Sequence, residues 1–574
     1  MKKVDILSRK SDLAVIQAHE FGEVLLSKYP SLKLNYITKS TSGDIDLKTP
    51  LSQMPSEGVF TNDLRDELIN KNCDLIIHSW KDLPLDVGNQ TEVAITLDRA
   101  DPRDLLFIKK NSLQKINQTS SISIFSSSPR RQYNLESFVK NYLPFQIKNI
   151  TFENIRGNIL TRFKKFLDGN VDGFVVAKAA IDRLLNADQT DFPDLRNNLF
   201  LHISECLWNV IPLSVNPSSP GQGALAVEIR SDDTNLKKLL SEINNEADYA
   251  NVILERQELQ KFGGGCHQKI GVSFLNTHFG KVKYSKGESE NGSAFYEKTI
   301  FKNNNSLAVK AKSYDEIFPL EISDYSFFSR IIIESSFREL SELKDKCIWI
   351  SRESALPKNT NIDSSNIIWV SGLETWKKIA KRGIWVNGSS DGLGEDIDSN
   401  IQQLTQNEWI KLTHRDAPPS KIKKVIPTYK LEKNNFLSSI IMYLINILII
   451  YFAFATFSRN AIIGIIISFL LIIERRKLII FSFSFFISLI FFIYILPELS
   501  NIYQINFSDL SEAHIFKKFS SLQLSSNNPR IAIWSNALNF ISMRPFFGWG
   551  AGSFPYVYEN AFLEIIGSLP YNFI

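Results

Sequence analysis

The sequence predicts an α/β protein that continues into transmembrane helices. Up to about Glu432, short apolar runs alternate with segments of helical periodicity, the pattern of a parallel or mixed sheet. Beyond Asn434 the chain becomes dense in Ile, Leu and Phe, in stretches long enough to span a bilayer. The length of 574 residues is several times that of a typical domain, so several domains are expected.

Composition excludes several classes of function. The net charge of +4 argues against binding of nucleic acid through net charge. The four cysteines are widely spaced and form no CxxC pair, which excludes a disulfide scaffold and a cysteine zinc site; no metal is expected. The N-terminus lacks the apolar core of a signal peptide. The front part of the chain is therefore expected in the cytoplasm.

The first predicted unit is a strand at 4–7, a polar turn and a helix at 12–28. The turn presents Arg9 and Ser11 beside the free N–H groups of the helix, a ready site for an anion. Further along, the apolar run 73–77 predicts a buried strand that ends before Pro84. Asp82 follows this strand, where ligands of open α/β sheets bind. A solvated strand exit is the alternative interpretation.

Arginines recur at the predicted strand exits, several of them beside hydroxyl-rich turns such as 126–128. They are Arg9, Arg130, Arg131, Arg156 and Arg162. Five arginines at equivalent positions indicate a cleft that holds several carboxylates or phosphates. No phosphate-binding loop and no GxGxxG after a strand occurs. The pattern therefore favours a small ligand with several carboxylates.

Two glycine-rich stretches stand out. The glycines on either side of Gln222 indicate close approach of two backbones, either at a hinge between domains or in an ordinary tight turn. Cys266 directly follows three glycines, which places its thiol on an exposed loop. A nucleophilic or covalently modified thiol is a better interpretation than a buried inert one.

Seven short motifs resemble those of a single family, hydroxymethylbilane synthase, also called porphobilinogen deaminase. They occur in the order and with the spacing that are typical of that family. They lie at 8–14, 78–84, 101–104, 127–132, 155–158, 221–224 and 264–266. The resemblance covers about residues 1–340. It implies a transferase of porphyrin and haem biosynthesis that joins four porphobilinogen molecules into hydroxymethylbilane with release of ammonia.

The resemblance also implies residue roles. Cys266 would hold a dipyrromethane cofactor through a thioether, and Asp82 would be catalytic, stabilising the cationic azafulvene left by loss of ammonia. Binding of cofactor and substrate would fall to Arg9, Ser11, Lys81, Ser126, Ser127, Ser128, Arg130, Arg131, Arg156, Arg162 and Arg183. One departure is expected to weaken binding: Gln53 and Glu57 stand where the family usually has lysines.

The fold that the resemblance implies is two periplasmic-binding-protein-like lobes plus a small α+β domain, with a monomeric catalytic part. The expected division is 1–98 with 200–230 for lobe 1, 99–199 for lobe 2, 231–340 for the cofactor-carrying domain and 344–432 for a small α/β extension. This extension either resembles part of a uroporphyrinogen-III synthase or is purely structural.

The tail predicts about three transmembrane helices over 436–496, followed by an external loop at 497–574. The basic run 475–477 places the second connection in the cytoplasm, so the tail would cross the inner membrane several times. The tail resembles a fragment of the O-antigen ligase and polymerase family, with Arg459 and Arg530 outside. The family's loop histidine has no counterpart before Ile574, so the fragment is expected to be inactive. A genuine fusion and an assembly artefact both remain open.

Two other functions remain open. A two-lobed module could bind small acids without chemistry, but it would have no use for the loop that carries Cys266. Alternatively, the tail could be a membrane glycan ligase fragment fused to an inactive synthase, although the missing histidine and spans argue against it.

Overall fold

The structure is a computed structural model that describes residues 3–433 apart from 42, 44–60, 86–87, 189, 264–267, 290, 303–327 and 418–419. The cofactor loop with Cys266, the departures at Gln53 and Glu57, and the whole predicted tail lie outside the described residues. Among the helices of the described part of the chain, none has the length and apolarity needed to cross a membrane.

The described strands are β1 (Lys3–Arg9), β2 (Lys33–Lys39), β3 (Leu75–Ser79), β4 (Thr91–Ile95), β5 (Asp104–Lys109), β6 (Ser121–Phe125), β7 (Asn149–Glu153), β8 (Gly173–Ala177), β9 (Cys206–Ile211), β10 (Leu225–Arg230), β11 (Gly271–Thr277), β12 (Gly280–Glu288), β13 (Ala294–Lys302), β14 (Phe328–Ile332), β15 (Cys347–Ile350), β16 (Ile367–Val370), β17 (Gly388–Ser389), β18 (Trp409–His414) and β19 (Lys424–Lys433).

The described α-helices are α1 (Asp12–Lys28), α2 (Asn62–Ile69), α3 (Leu113–Thr119), α4 (Pro129–Tyr142), α5 (Ile159–Asp168), α6 (Lys178–Leu185), α7 (Leu195–Ser204), α8 (Thr234–Ser241), α9 (Glu246–Gln260), α10 (Ser335–Ser341) and α11 (Leu373–Ala380). Short 3-10 turns occur at Trp80–Asp82, Lys110–Ser112 and Glu353–Ala355.

The first sheet has the strand order β2-β1-β3-β10-β4. β1 is parallel to β2 and β3, whereas β10 runs antiparallel between β3 and β4. One face is covered by α1, which buries Phe21 and Leu25 in the same core as Ile6 and Ile77. The alternation of strands and helices predicted a parallel or mixed sheet, and the sheet is mixed.

The second sheet has the order β7-β6-β8-β5-β9, with β5 antiparallel to both β8 and β9. All six residues of β5 are buried: Leu106 and Ile108 pack on one side, and Leu105 and Phe107 on the other. A strand covered on both faces reads as a continuous apolar run, which explains its sequence.

The strand β9 pairs with β5 in the second sheet. The sequence prediction assigned 200–230 to the first lobe, and this pairing connects part of that stretch to the second sheet. Within that stretch, the strand that belongs to the first sheet is β10. Nothing in the local pattern of an apolar strand says which sheet it will join, because both sheets accept antiparallel partners.

Two further sheets follow. β11, β12 and β13 form an antiparallel sheet, and α9 packs against β11. Residues 328–433 then form a six-stranded sheet in the order β14-β19-β18-β15-β16-β17, mostly parallel with β14 antiparallel on β19. This last part is called the C-terminal α/β unit below. It begins earlier than the predicted residue 344, since β14 and α10 belong to it.

Candidate active site

Asp82 lies on a short 3-10 turn that follows the end of β3. The 3-10 turn Trp80–Asp82 presents the Asp82 side chain to solvent. The Trp80 ring is buried and lies 5.1 Å from the Tyr249 ring, measured between centroids. The Trp80 N–H donates to the Ala224 carbonyl at 3.0 Å. Asp82 is therefore held just beyond the strand end, the position expected from the sequence.

The turn that contains Gln222 packs directly against the Asp82 turn. Gly221 has a φ of +75°, and a Cβ at this position would lie 3.2 Å from the backbone nitrogen of Lys81. The buried Gln222 side chain donates to Asp104 Oδ1 at 2.9 Å and to the Pro102 carbonyl at 2.6 Å. The glycines thus allow the close backbone approach that the sequence indicated, and Gln222 connects the first sheet to the start of β5.

A group of cations shares one electrostatic environment with Asp82. We call it the cation cluster; its members are Arg9, Lys81, Arg131, Arg156 and Arg162. Burial and the positive charge of Arg131 lower the pKa of Arg162 to about 10, and Arg156 and Arg9 act in the same direction. The Asp82 carboxylate opposes this shift. Cations that depress the pKa of a neighbour indicate a site that favours anions.

Lys81 belongs to the cation cluster through its neighbours. Burial lowers the pKa of its ammonium group, and the charges of Arg131 and Arg162 lower it further. The negative charges of Asp82 and Asp104 act in the opposite direction. An incoming carboxylate would relieve the repulsion among these cations, so binding of an anion is favoured here.

Asp104 organises the two neighbouring arginines of the motif at 127–132. Arg131 donates to it from Nε at 3.0 Å and from Nη2 at 2.7 Å. Arg130 donates from Nη2 to Asp104 Oδ2 at 3.0 Å and from Nη1 to Asn216 Oδ1 and to the Pro217 carbonyl, both at 2.7 Å. The pKa of Asp104 lies below its ordinary value because these arginines outweigh the effect of burial.

These contacts separate the two arginines in role. The Arg130 side chain is 5% exposed and has protein acceptors for both of its terminal nitrogens. Arg131 belongs to the cation cluster, where its charge acts on both Lys81 and Arg162. We therefore expect ligand binding from Arg131 and a structural contribution from Arg130, which the sequence did not distinguish.

The serines at 126–128 hold the loop that carries them. The Ser127 hydroxyl donates to the Ile155 carbonyl at 3.0 Å and accepts from the Ile155 N–H at 2.8 Å. The Ser128 hydroxyl caps α4 by accepting from the Arg131 N–H. Ser126 is buried, and its hydroxyl accepts from the Ser128 N–H. Ser127 thus fixes the segment that leads to Arg156.

The remaining predicted binding residues fall into two groups. Ser11 directly precedes α1, and its side chain makes no capping hydrogen bond to the helix. Arg9 lies two residues earlier, at the end of β1. Arg183 instead donates from Nε to Glu20 at 2.7 Å and from Nη2 to the Gly223 carbonyl at 3.1 Å. Its guanidinium therefore joins α6 to α1, a connection between the two sheets that the sequence did not predict.

Two buried carboxylates that support the site were missed at the level of sequence. Glu255 accepts from both terminal nitrogens of Arg99, at 2.7 and 2.9 Å, and from the Gly221 N–H at 2.8 Å. Glu228 lies 2.9 Å from His78 Nε2 and accepts from Arg65 Nε at 2.6 Å. The only signal for either was an acidic residue within an apolar strand or helix face.

Two family models match parts of this chain. The family model described as porphobilinogen deaminase, dipyromethane cofactor binding domain, matches residues 4–238. The model described as O-Antigen ligase matches residues 444–572. Both matches were expected from the motifs.

Curated relatives cover about half of this chain and most of their own length. Porphobilinogen deaminase of Nostoc sp. is 31% identical over 274 residues, which are 47% of this chain and 77% of that protein. Those of Syntrophomonas wolfei and Caldicellulosiruptor saccharolyticus are both 32% identical, with 80% and 87% of their lengths covered. The two alignments cover 47% and 49% of this chain, respectively.

Among solved structures, the periplasmic aliphatic sulphonate binding protein of Escherichia coli aligns with a TM-score of 0.22 and 11% identity, over 46% of this chain and 70% of that one. A score this low carries no argument about fold. The identity and coverage of the curated relatives do decide the family: the chain belongs to the porphobilinogen deaminase family.

Proposed function

We propose that this chain acts as a hydroxymethylbilane synthase, a transferase that condenses four porphobilinogen molecules into hydroxymethylbilane and releases ammonia. Family membership supports the reaction class. The observation that supports it best in the structure is the exposed Asp82 carboxylate within the cation cluster. One acid among several cations suits a substrate that carries several carboxylates and develops positive charge as it reacts.

The cation cluster would bind the substrate's acid groups. Each porphobilinogen carries an acetate and a propionate, so a growing chain gains two negative charges per unit. Guanidinium groups bind carboxylates through two parallel hydrogen bonds, which fixes orientation as well as affinity. Arg131 and Arg162 are the members best placed to do so, because the charge of each acts on Lys81 and Arg162 also interacts with Asp82.

Asp82 would act on the reacting part of the substrate. Departure of ammonia leaves positive charge on the pyrrole unit, and a fixed carboxylate nearby stabilises that charge. The same carboxylate can accept hydrogen bonds from pyrrole N–H groups. Because the contacts of Trp80 with Ala224 and Tyr249 hold the turn, the backbone of Asp82 is positioned before the substrate arrives, which reduces the reorganisation that the reaction requires.

The described residues fit a dipyrromethane cofactor. The Nε of Arg162 is buried and has no hydrogen-bond partner among the described residues, so a donor is available for an acid group of a bound pyrrole. Arg131 and Ser11 would contribute further donors, and Cys266 would hold the cofactor through its sulfur. When bound, the cofactor supplies the end to which successive substrate units are joined.

Intact mass and turnover of the full chain test the proposal. We expect wild type to carry a two-pyrrole mass increment that is absent from Cys266→Ser, and to consume porphobilinogen with release of ammonia. Asp82→Asn should lower kcat by about a hundredfold or more, whereas Glu136→Gln, a change to an exposed carboxylate paired with Lys140, should not. An unmodified wild-type mass after incubation with porphobilinogen would overturn the proposal.

We further propose that the C-terminal tail attaches the enzyme to the inner membrane through about three helices within 436–496, with the catalytic part in the cytoplasm. The match of residues 444–572 to the O-Antigen ligase model supports this. The full chain should remain in the membrane fraction after alkaline carbonate washing, and a variant that ends after Lys433 should not. Release of the full chain by carbonate would contradict the proposal.

A further inference from the structure

We propose that the C-terminal α/β unit is a positioning element for the active site: it fixes Arg103, and through the adjoining Asp104 it sets the orientation of Arg131. The inference rests on the proposed synthase function. It assigns a role to residues 328–433, which lie beyond the 4–238 matched by the porphobilinogen deaminase model.

The C-terminal α/β unit shares its apolar core with the second sheet. Trp349 and Trp369 belong to the same buried cluster as Phe107 and Trp208. Backbone contacts reinforce this packing, because the Val210 N–H of β9 donates to the Asn387 carbonyl at 2.7 Å. The unit therefore packs against the second sheet, and the two cannot move independently without disrupting their common core.

Arg103 is the polar contact of this interface that lies closest in sequence to the active site. Its Nη2 donates to the Ser399 carbonyl at 2.7 Å and to Asp101 Oδ2 at 2.7 Å. The guanidinium also lies over the Trp369 ring at 5.6 Å from its centroid. Two of these three partners belong to the C-terminal α/β unit, and the Arg103 side chain is only 11% exposed.

Asp104 follows Arg103 and begins β5. Successive side chains of an extended chain point to opposite sides, so the two residues reach different partners from one short piece of backbone. That backbone is itself held: the Lys178 N–H donates to the Arg103 carbonyl at 3.0 Å, and Gln222 donates to the Pro102 carbonyl at 2.6 Å. Because Arg103 and Asp104 share this short piece of backbone, the position of the Arg103 side chain contributes, with these two contacts, to the position of the Asp104 carboxylate.

The Asp104 carboxylate determines how Arg131 enters the cation cluster. It accepts from both Nε and Nη2 of Arg131, a two-point contact that fixes the plane of the guanidinium. The remaining nitrogen, Nη1, is then aimed by Asp104 as well. The C-terminal α/β unit thus acts on Arg131 through two positioning residues, Arg103 and Asp104.

The test is the KM for porphobilinogen in the full chain. Arg103→Met keeps the length of the side chain but loses the contacts to Ser399 and Asp101, and we expect KM to rise about tenfold as Arg131 loses its orientation. Arg103→Lys, which retains one donor and the charge, should recover part of the loss. Arg382→Met is the matched control, because Arg382 donates to the Leu356 and Pro357 carbonyls within the C-terminal α/β unit.

A double-mutant cycle separates positioning from simple destabilisation. If Arg103 acts through Arg131, Arg103→Met should change KM little in an Arg131→Lys background; independent effects would add. Additive effects, or an unchanged KM in a folded Arg103→Met, would overturn the inference. If Arg103→Met does not fold, the same double-mutant cycle is measured with Arg103→Lys in the wild-type and Arg131→Lys backgrounds. Absence of turnover in wild type would instead refute the proposed function.

Discussion

Asp104 and Arg131 form a two-point ion pair, with Nε 3.0 Å from Oδ2 and Nη2 2.7 Å from Oδ1. Arg130, the preceding residue, shares the same carboxylate but also binds Asn216 and Pro217. One buried acid therefore serves two adjacent arginines, and the charge of Arg131 acts on both Lys81 and Arg162.

This difference predicts different phenotypes for the two arginines. Arg130→Met should lower the free energy of unfolding by about 3–5 kcal/mol, because it leaves the buried Asp104 with less compensation, while the KM of the folded fraction should rise less than in Arg131→Met. Arg131→Met should raise the KM for porphobilinogen. Urea denaturation and steady-state kinetics of both variants check this, and equal effects on KM would show that the distinction is wrong.

The buried ion pairs of Glu228 should make the stability of the fold depend on pH in the acid range. Burial alone would raise its pKa, but the contact with His78 and the charge of Arg65 outweigh it and lower the pKa from 4.5 to about 2. Folding therefore favours the ionised form. The resulting stabilisation is complete above about pH 4.5 and is lost as the pH falls toward 2.

The expected contribution of this group is on the order of 3 kcal/mol at neutral pH. Glu228→Gln should be less stable than wild type at pH 7, since Arg65 loses its buried partner, and the gap should narrow as the pH falls below 4.5. Urea midpoints measured from pH 7 to pH 3 give the comparison. A constant gap across this range would contradict the prediction.

Helices and strands could be predicted from the sequence more reliably than the hydrogen-bond and ion-pair partners of side chains. α1 was expected at 12–28 and lies there, because its apolar spacing and flanking turn depend on local sequence alone. The partners of Arg130 and Arg183 could not be foreseen, since Asp104 and Glu20 lie far from them along the chain. For the same reason the pairing of β9 with β5 could not be foreseen, as pairing depends on contacts between distant segments.

The placement of Asp82 was predictable because it follows from one local rule, the exit of a buried strand. The contacts of the C-terminal α/β unit with the second sheet were not, although its tryptophans are an unusual density of large apolar side chains. Trp349, Trp369 and Trp376 are all buried. An apolar face that is too large for a small unit indicates a covering partner, but the sequence does not name it.

The three described cysteines should be inert in the folded protein. Cys73, Cys206 and Cys347 are at most 4% exposed, and burial raises the pKa of each thiol to about 12. Because the thiolate is the reactive form, a Cys266→Ser full chain should react slowly with a thiol reagent at pH 8 and completely after unfolding. Rapid labelling before unfolding would contradict this placement.

Trp376 provides the test of whether the C-terminal α/β unit and the second sheet unfold together. Its ring lies edge-on to Phe138 at 5.4 Å, and its Nε1–H donates to the Tyr142 carbonyl at 2.8 Å. The side chain is fully buried. Trp376→Ala should therefore cost about 3–5 kcal/mol of stability, and Trp376→Phe, which loses the hydrogen bond but fills most of the space, should cost less.

Because the two parts share one core, the loss should affect both. We expect Trp376→Ala to shift a single unfolding transition, with tryptophan fluorescence and turnover of porphobilinogen lost at the same urea concentration. Arg382→Met, whose contacts stay within the C-terminal α/β unit, tests whether that unit can loosen alone. Turnover that persists after the fluorescence change would mean that the second sheet is stable without its covering unit.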